Sequence, residues 1–129
     1  MAALLEGDGE VSTSGRPSEP TAAEVEFRVA VVYEDREVRV RPVGEVDLGT
    51  IGRLRERMRE AMAADVDRLV LDLRATTFLD SNGLHLAMDV EGWATRGGIE
   101  FVIVPGPPVV QKAFEVSGLS AQLPFVDGA

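Results

Sequence analysis

The segment Leu69-Val70-Leu71-Asp72-Leu73 constrains this chain most, because four apolar residues in five leave no polar face for a strand at the surface. Such a run suits a strand covered on both faces in the middle of a sheet. Buried strands of that kind have parallel neighbours, and parallel neighbours are joined by helical crossovers. The flanking sequence reads accordingly.

Upstream, Val25, Phe27, Val29, Val31 and Tyr33 alternate with other residues, which is the period of a strand. Glu34-Asp35-Arg36 reverses the chain, and Val38 and Val40 continue the alternation in a second strand that Gly44-Glu45-Val46-Asp47 closes. Asp47 is placed to cap a helix of about four turns, whose apolar positions Ile51, Leu54, Met58 and Met62 fall three and four apart. The opposite face carries Arg53, Arg55, Arg57, Arg59, Glu56 and Glu60, a mixture of signs that reads as a solvated surface rather than a basic binding patch.

Downstream, Ala75-Thr76-Thr77-Phe78-Leu79 leads into Asp80-Ser81-Asn82-Gly83, which opens a helix burying Leu86, Ala87, Val90, Trp93 and Ala94 and stopping at Gly97-Gly98. Trp93 reads as core. Residues 99–104 form another strand, residues 107–116 a helix started by proline, and residues 123–126 a short last strand. The order implies an α/β sheet with parallel pairs and helical cover.

A chain of 129 residues, 45% hydrophobic and 27% charged, has room for one core. Residues 1–23 lack apolar periodicity and are expected to be a disordered tail, leaving one domain over residues 24–129. The formal charge of −9 argues against nucleic acid, whose phosphates draw affinity from an excess of Lys and Arg, and against an acidic membrane surface. No apolar run reaches the roughly 18 residues of a membrane span, and the start Met1-Ala2-Ala3-Leu4-Leu5-Glu6 lacks the basic flank of a secretory signal, so a cytoplasmic protein is expected.

Cysteine is absent, which removes thiolate chemistry and disulfides; His85 is the single histidine, too few for an imidazole metal cluster, and Ser81 with His85 lacks a convincing third member of a catalytic triad. No nucleophile elbow, P-loop or dinucleotide fingerprint occurs. The chain is expected to be no enzyme, with neither metal nor cofactor.

Attention falls on Asp80-Ser81-Asn82-Gly83. By spacing alone it is a helix cap: Asp80 or Ser81 accepts from the free N–H groups of the first turn, and Gly83 permits tight packing. Neither choice puts Glu or Gln at the third helical position, so a full capping box is missing.

The stretch from Leu69 to Leu84, an apolar strand leading into Asp80-Ser81-Asn82-Gly83-Leu84, resembles the signature of STAS domains, specifically bacterial anti-sigma factor antagonists. Gly44-Glu45-Val46-Asp47 is similar to a second landmark of that family. The run from Gly106 through Pro107, Pro108, Gln111 and Phe114 to Leu119 resembles its third helix and the turn after it.

The resemblance implies a mixed sheet of about five strands covered by three to four helices. It implies that the unphosphorylated chain binds an anti-sigma factor with serine kinase activity and so releases a sigma factor. Phosphorylation at Ser81 then ends the binding, and a serine phosphatase is a further implied partner. Asp80 corresponds to the aspartate that assists the exchange. The expected contact set is Asp47, Asp80, Ser81, Asn82, Gly83, Leu84 and Met88, the last two added because they share an edge of the helix away from the buried stripe.

Three departures stand out. Asn82 replaces the usual second hydroxyl, His85 stands where a small residue is usual, and the chain ends three residues after Val126, which leaves little for a terminal helix. The alternative reading is a constitutive STAS subunit on the ATPase of an ABC transporter or another regulatory complex. Its binding would not need Ser81.

Overall fold

The computed structural model describes residues 26–126; the expected tail over residues 1–23 lies outside them, as does Val25. Arg28–Glu34 (β1) and Glu37–Val46 (β2) form an antiparallel hairpin with Glu34 opposite Glu37. A two-residue hairpin turn matches the strand twist when both central residues have positive φ, and Asp35 (52°) and Arg36 (66°) adopt it. The Arg36 side chain is held by Asp65 and Asp67, its Nε donating to Asp67 Oδ2 at 2.8 Å.

The apolar run becomes Arg68–Asp72 (β3), flanked on both sides by parallel strands. Val38 and Val40 of β2 face Leu69 and Leu71 on one side, and Phe101 and Ile103 of Glu100–Val104 (β5) face them on the other. These side chains pack with the buried stripes of Ile51–Ala63 (α1) and Ser81–Gly97 (α2) into the main core. Burial of each such Leu, Val or Met contributes about 1.5–3 kcal/mol relative to exposure. On the opposite sheet face, Val70, Val102 and Val104 form a small second cluster with Val126 against it.

Asp72 ends β3 with its side chain fully buried, and its carboxylate accepts from Arg39 Nη1 (3.0 Å) and from the backbone N (3.1 Å), Nε (3.0 Å) and Nη2 (2.9 Å) of Arg74. Burial alone would push this carboxyl up, but the Arg74 and Arg39 hydrogen bonds outweigh it and hold the group at about 2. The chain then jogs through Leu73-Arg74-Ala75 and rejoins β2 as Thr76–Leu79 (β4), parallel to the far end of the same strand. Gly44 N donates to Ala75 O at 3.1 Å at the junction. Gly44 has φ of +112°, a conformation that favours glycine, and the register slips there: Thr76 faces Gly44 but Phe78 faces Glu45, so Thr77 is an extra residue.

Among the described residues the architecture is α/β, a five-stranded mixed sheet with three helices, but two assignments change. β4 is a strand where the sequence showed none. Residues 123–126 form no strand: Phe125 makes a single parallel bridge to Ile103, which donates to Pro124 O at 2.9 Å. Pro124 has no N–H with which to extend a ladder.

α1 buries Leu54, Met58 and Ala61, with Ile51 and Met62 half-buried at its margins. Its charged face is solvated, with Arg53, Glu56, Arg59 and Glu60 exposed, and three of its arginines also make contacts. Arg53 lies over the Phe27 ring at 5.0 Å, Arg59 over the Trp93 ring at 4.5 Å, and Arg55 pairs with Asp89. Trp93 is accordingly half-buried against the core, roofed by Arg59. Pro108–Val116 (α3), started after Pro107, closes the core with Val110 and Phe114.

Candidate functional site

β2 and β4 run parallel and end together at Val46 and Leu79, so the loops that follow them meet. Asp80 N donates to Val46 O at 3.1 Å, which places Asp47 beside the start of α2. Of the two cap candidates, Asp80 is the N-cap. Its backbone is extended (φ −101°, ψ −170°), and its Oδ1 accepts from Asn82 N at 2.8 Å. Its Oδ2 accepts from Asn82 Nδ2 at 3.3 Å, and its carbonyl accepts from Gly83 N and Leu84 N. Asn82 thus orients the carboxylate with both its amides.

Ser81 is therefore the first residue of α2, exposed, and among the described residues its hydroxyl makes no hydrogen bond. The reason it stands out lies one turn below. Gly83 is buried, and a Cβ there would come within 2.5 Å of Leu79 Cγ, so only glycine lets the first turn of α2 sit directly on the last side chain of β4.

The expected capping role of Asp47 is not what the structure shows. α1 starts at Ile51 with Thr50 at its cap position, and Asp47 Oδ1 instead accepts from Gly49 N at 3.0 Å. The intervening turn accounts for this. Thr50 Oγ1 accepts from Asp47 N at 3.0 Å and donates back to Glu45 O at 2.8 Å, so Asp47 closes a side-chain turn of its own before the helix begins. Half-buried, it sits next to Asp80 rather than inside a helix terminus.

Ser81, Leu84, His85 and Met88 share one side of α2 by their spacing. His85 is exposed, and Met88 is 39% exposed. Leu84, expected clear of the buried stripe, is half-buried and packs against the main core. Two apolar residues that the sequence did not single out stand at the same end of the sheet. Leu48 follows Asp47 and is 78% exposed, and Phe78 precedes Leu79 and is 43% exposed. Leu48 carried a readable signal, an apolar residue in a turn with no element to bury it. Phe78 did not, because the extra Thr77 hides its outward orientation.

Among the described residues Asp47 and Asp80 make no ion pair, and the first turn of α2 carries no basic side chain. The site is a bare hydroxyl beside two carboxylates, above backbone N–H groups, bordered by apolar side chains. No group of three or more metal-ligating residues forms among the described residues, and none of the helices described is long and apolar enough to cross a membrane.

Residues 28–127 match the family model of the STAS domain. The chain belongs to the STAS domain family. Solved structures similar to this STAS domain include an anti-sigma factor antagonist from Mycobacterium paratuberculosis, 23% identical, with a TM-score of 0.72 over 83% of this chain and 89% of that one. The anti-sigma factor antagonist SpoIIAA in its unphosphorylated form is 22% identical, with a TM-score of 0.65 over 81% and 89%. The Bacillus cell fate determinant SpoIIAA in the phosphorylated form is 20% identical, with a TM-score of 0.61 over 81% and 92%. The fold is common to all of them.

Proposed function

We propose that this STAS domain is an anti-sigma factor antagonist. Its unphosphorylated form binds an anti-sigma factor that is also a serine kinase and thereby frees the sigma factor, and phosphorylation at Ser81 ends the binding. The observation that carries this reading is the position of Ser81, exposed at the head of α2 with no hydrogen bond to its hydroxyl among the described residues, in a domain similar to solved antagonists. One of those relatives is known in a phosphorylated form.

The contact surface proposed is Asp47, Asp80, Ser81, Asn82, Gly83, Leu84 and Met88, to which Leu48 and Phe78 add the most exposed apolar area. Phosphorylation brings about −1.5 to −2 charges to Ser81. The N–H groups of α2 tolerate that charge in the free domain. Under a closed interface the dianion lies beside Asp80 and Asp47, with no lysine or arginine in the first turn of α2. An uncompensated buried charge costs about 3–5 kcal/mol, which weakens binding by roughly a hundred- to a few thousand-fold. A phosphatase acting on the released form would reset the system, in the cytoplasm where sigma factors act.

The test is incubation of the chain with ATP and the anti-sigma factor kinase of the same organism, followed by mass spectrometry of the sites modified. A single phosphate at Ser81, absent from Ser81→Ala, is expected, with Ser81→Ala still binding the kinase. Phosphate on Ser81→Ala protein would refute the assigned acceptor.

A further inference from the structure

We infer that this STAS domain pairs with a second copy of itself through β1, as an antiparallel two-fold strand pair centred on Val31. Among the described residues β1 has β2 on one side and no strand on the other. Its seven residues, Arg28-Val29-Ala30-Val31-Val32-Tyr33-Glu34, include no proline or lysine to discourage pairing, and Val32 and Tyr33 are 55% and 53% exposed.

The backbone faces the right way. Pro42, opposite Val29, turns its carbonyl away from β1 to accept from Thr76 Oγ1 at 3.1 Å. Val29 and Pro42 are therefore a pair without hydrogen bonds between them, and Val29, Val31 and Tyr33 direct their N–H and C=O groups to the open edge. A two-fold axis at Val31 sets Val31 against Val31 and Val29 against Tyr33 of the second copy, each a hydrogen-bonding pair.

The side chains complete the match. The same axis sets Arg28 opposite Glu34 of the second copy, twice per dimer. Within the chain neither finds a partner among the described residues: Arg28 faces Val43, and Glu34 faces the like charge of Glu37. Opposed charges directly across a strand pair attract, and Val29 with Tyr33 and Val31 with Val31 are the β-branched and aromatic partners sheets favour, while Ala30 with Val32 adds a small apolar pair. β1 and β4 flank β2 on opposite sides, so the Ser81 loop stays open in the dimer.

Sedimentation velocity of the full chain over rising concentration is expected to show a monomer passing to a dimer. Val31→Pro removes an N–H that points outward and spares the β1–β2 ladder, so it is expected to be folded by circular dichroism and monomeric. Arg28→Glu and Glu34→Arg singly place like charges together at two points and are expected to weaken dimerisation about tenfold. Mixing those two variants restores every pair and is expected to give a heterodimer, and the double variant Arg28→Glu/Glu34→Arg is expected to dimerise again. A chain monomeric at all concentrations overturns the inference. So does a dimer that ignores both single charge reversals. If Val31→Pro does not fold, the charge variants and their mixture decide alone.

Discussion

Asp72 is a charge kept inside the domain by two arginines, and its ionisation contributes to folding. Its folded carboxyl lies at about 2, below the ordinary 3.8, so the stabilisation is complete above pH 4 or so and is lost as pH falls through the folded value. Asp72→Asn is expected to cost about 1–2 kcal/mol at pH 7, discounted for the half-exposed Arg74, and the gap from the parent should close near pH 2. Urea unfolding of both proteins across that range checks it. At Ser81 the reverse holds, since no described residue hydrogen-bonds the hydroxyl. Asp47 shows the limit of residue-level reading: capping types and spacing were right for a turn, but whether that turn is the helix cap depends on the Thr50 hydroxyl folding back to Glu45.

Among the elements, β3 and α2 were legible because one has a continuous apolar centre, Leu69-Val70-Leu71, and the other keeps strict helical spacing. β4 was not. Its inward residues are Thr76 and Leu79 with two outward residues between them, and no period-2 pattern survives such a bulge. The last segment erred the other way, alternating like a strand while Pro124 denies it a ladder. The seating of α2 on β4 is the contact that positions the candidate site, and it has a direct test. Gly83→Ala is expected to cost about 1–3 kcal/mol through overlap with Leu79, while adding Leu79→Ala should make the double loss smaller than the sum of the singles. Thermal unfolding of the three variants measures the coupling. Additive losses would show that the two elements do not bear on each other.

Taken as a molecule, the domain separates the part that folds from the part that is proposed to signal. The core runs from β1 through β5 beneath α1, α2 and α3, while the exposed residues Leu48, Phe78, Ser81 and Met88 gather at one end of it. Ser81→Glu is therefore expected to leave the unfolding midpoint within about 4 °C of the parent while lowering affinity for the kinase roughly a hundredfold or more. Calorimetry and a binding titration on one preparation read both quantities. A large fall in the midpoint would mean that the loop belongs to the core. The glycine beneath the serine has one more outcome. With no slack between Leu79 and the helix above it, a mark placed at Ser81 has no lever to pull inside this protein. Under the proposed function the domain is a stamped token of fixed shape, and whatever movement follows the stamping belongs to the molecule that reads it.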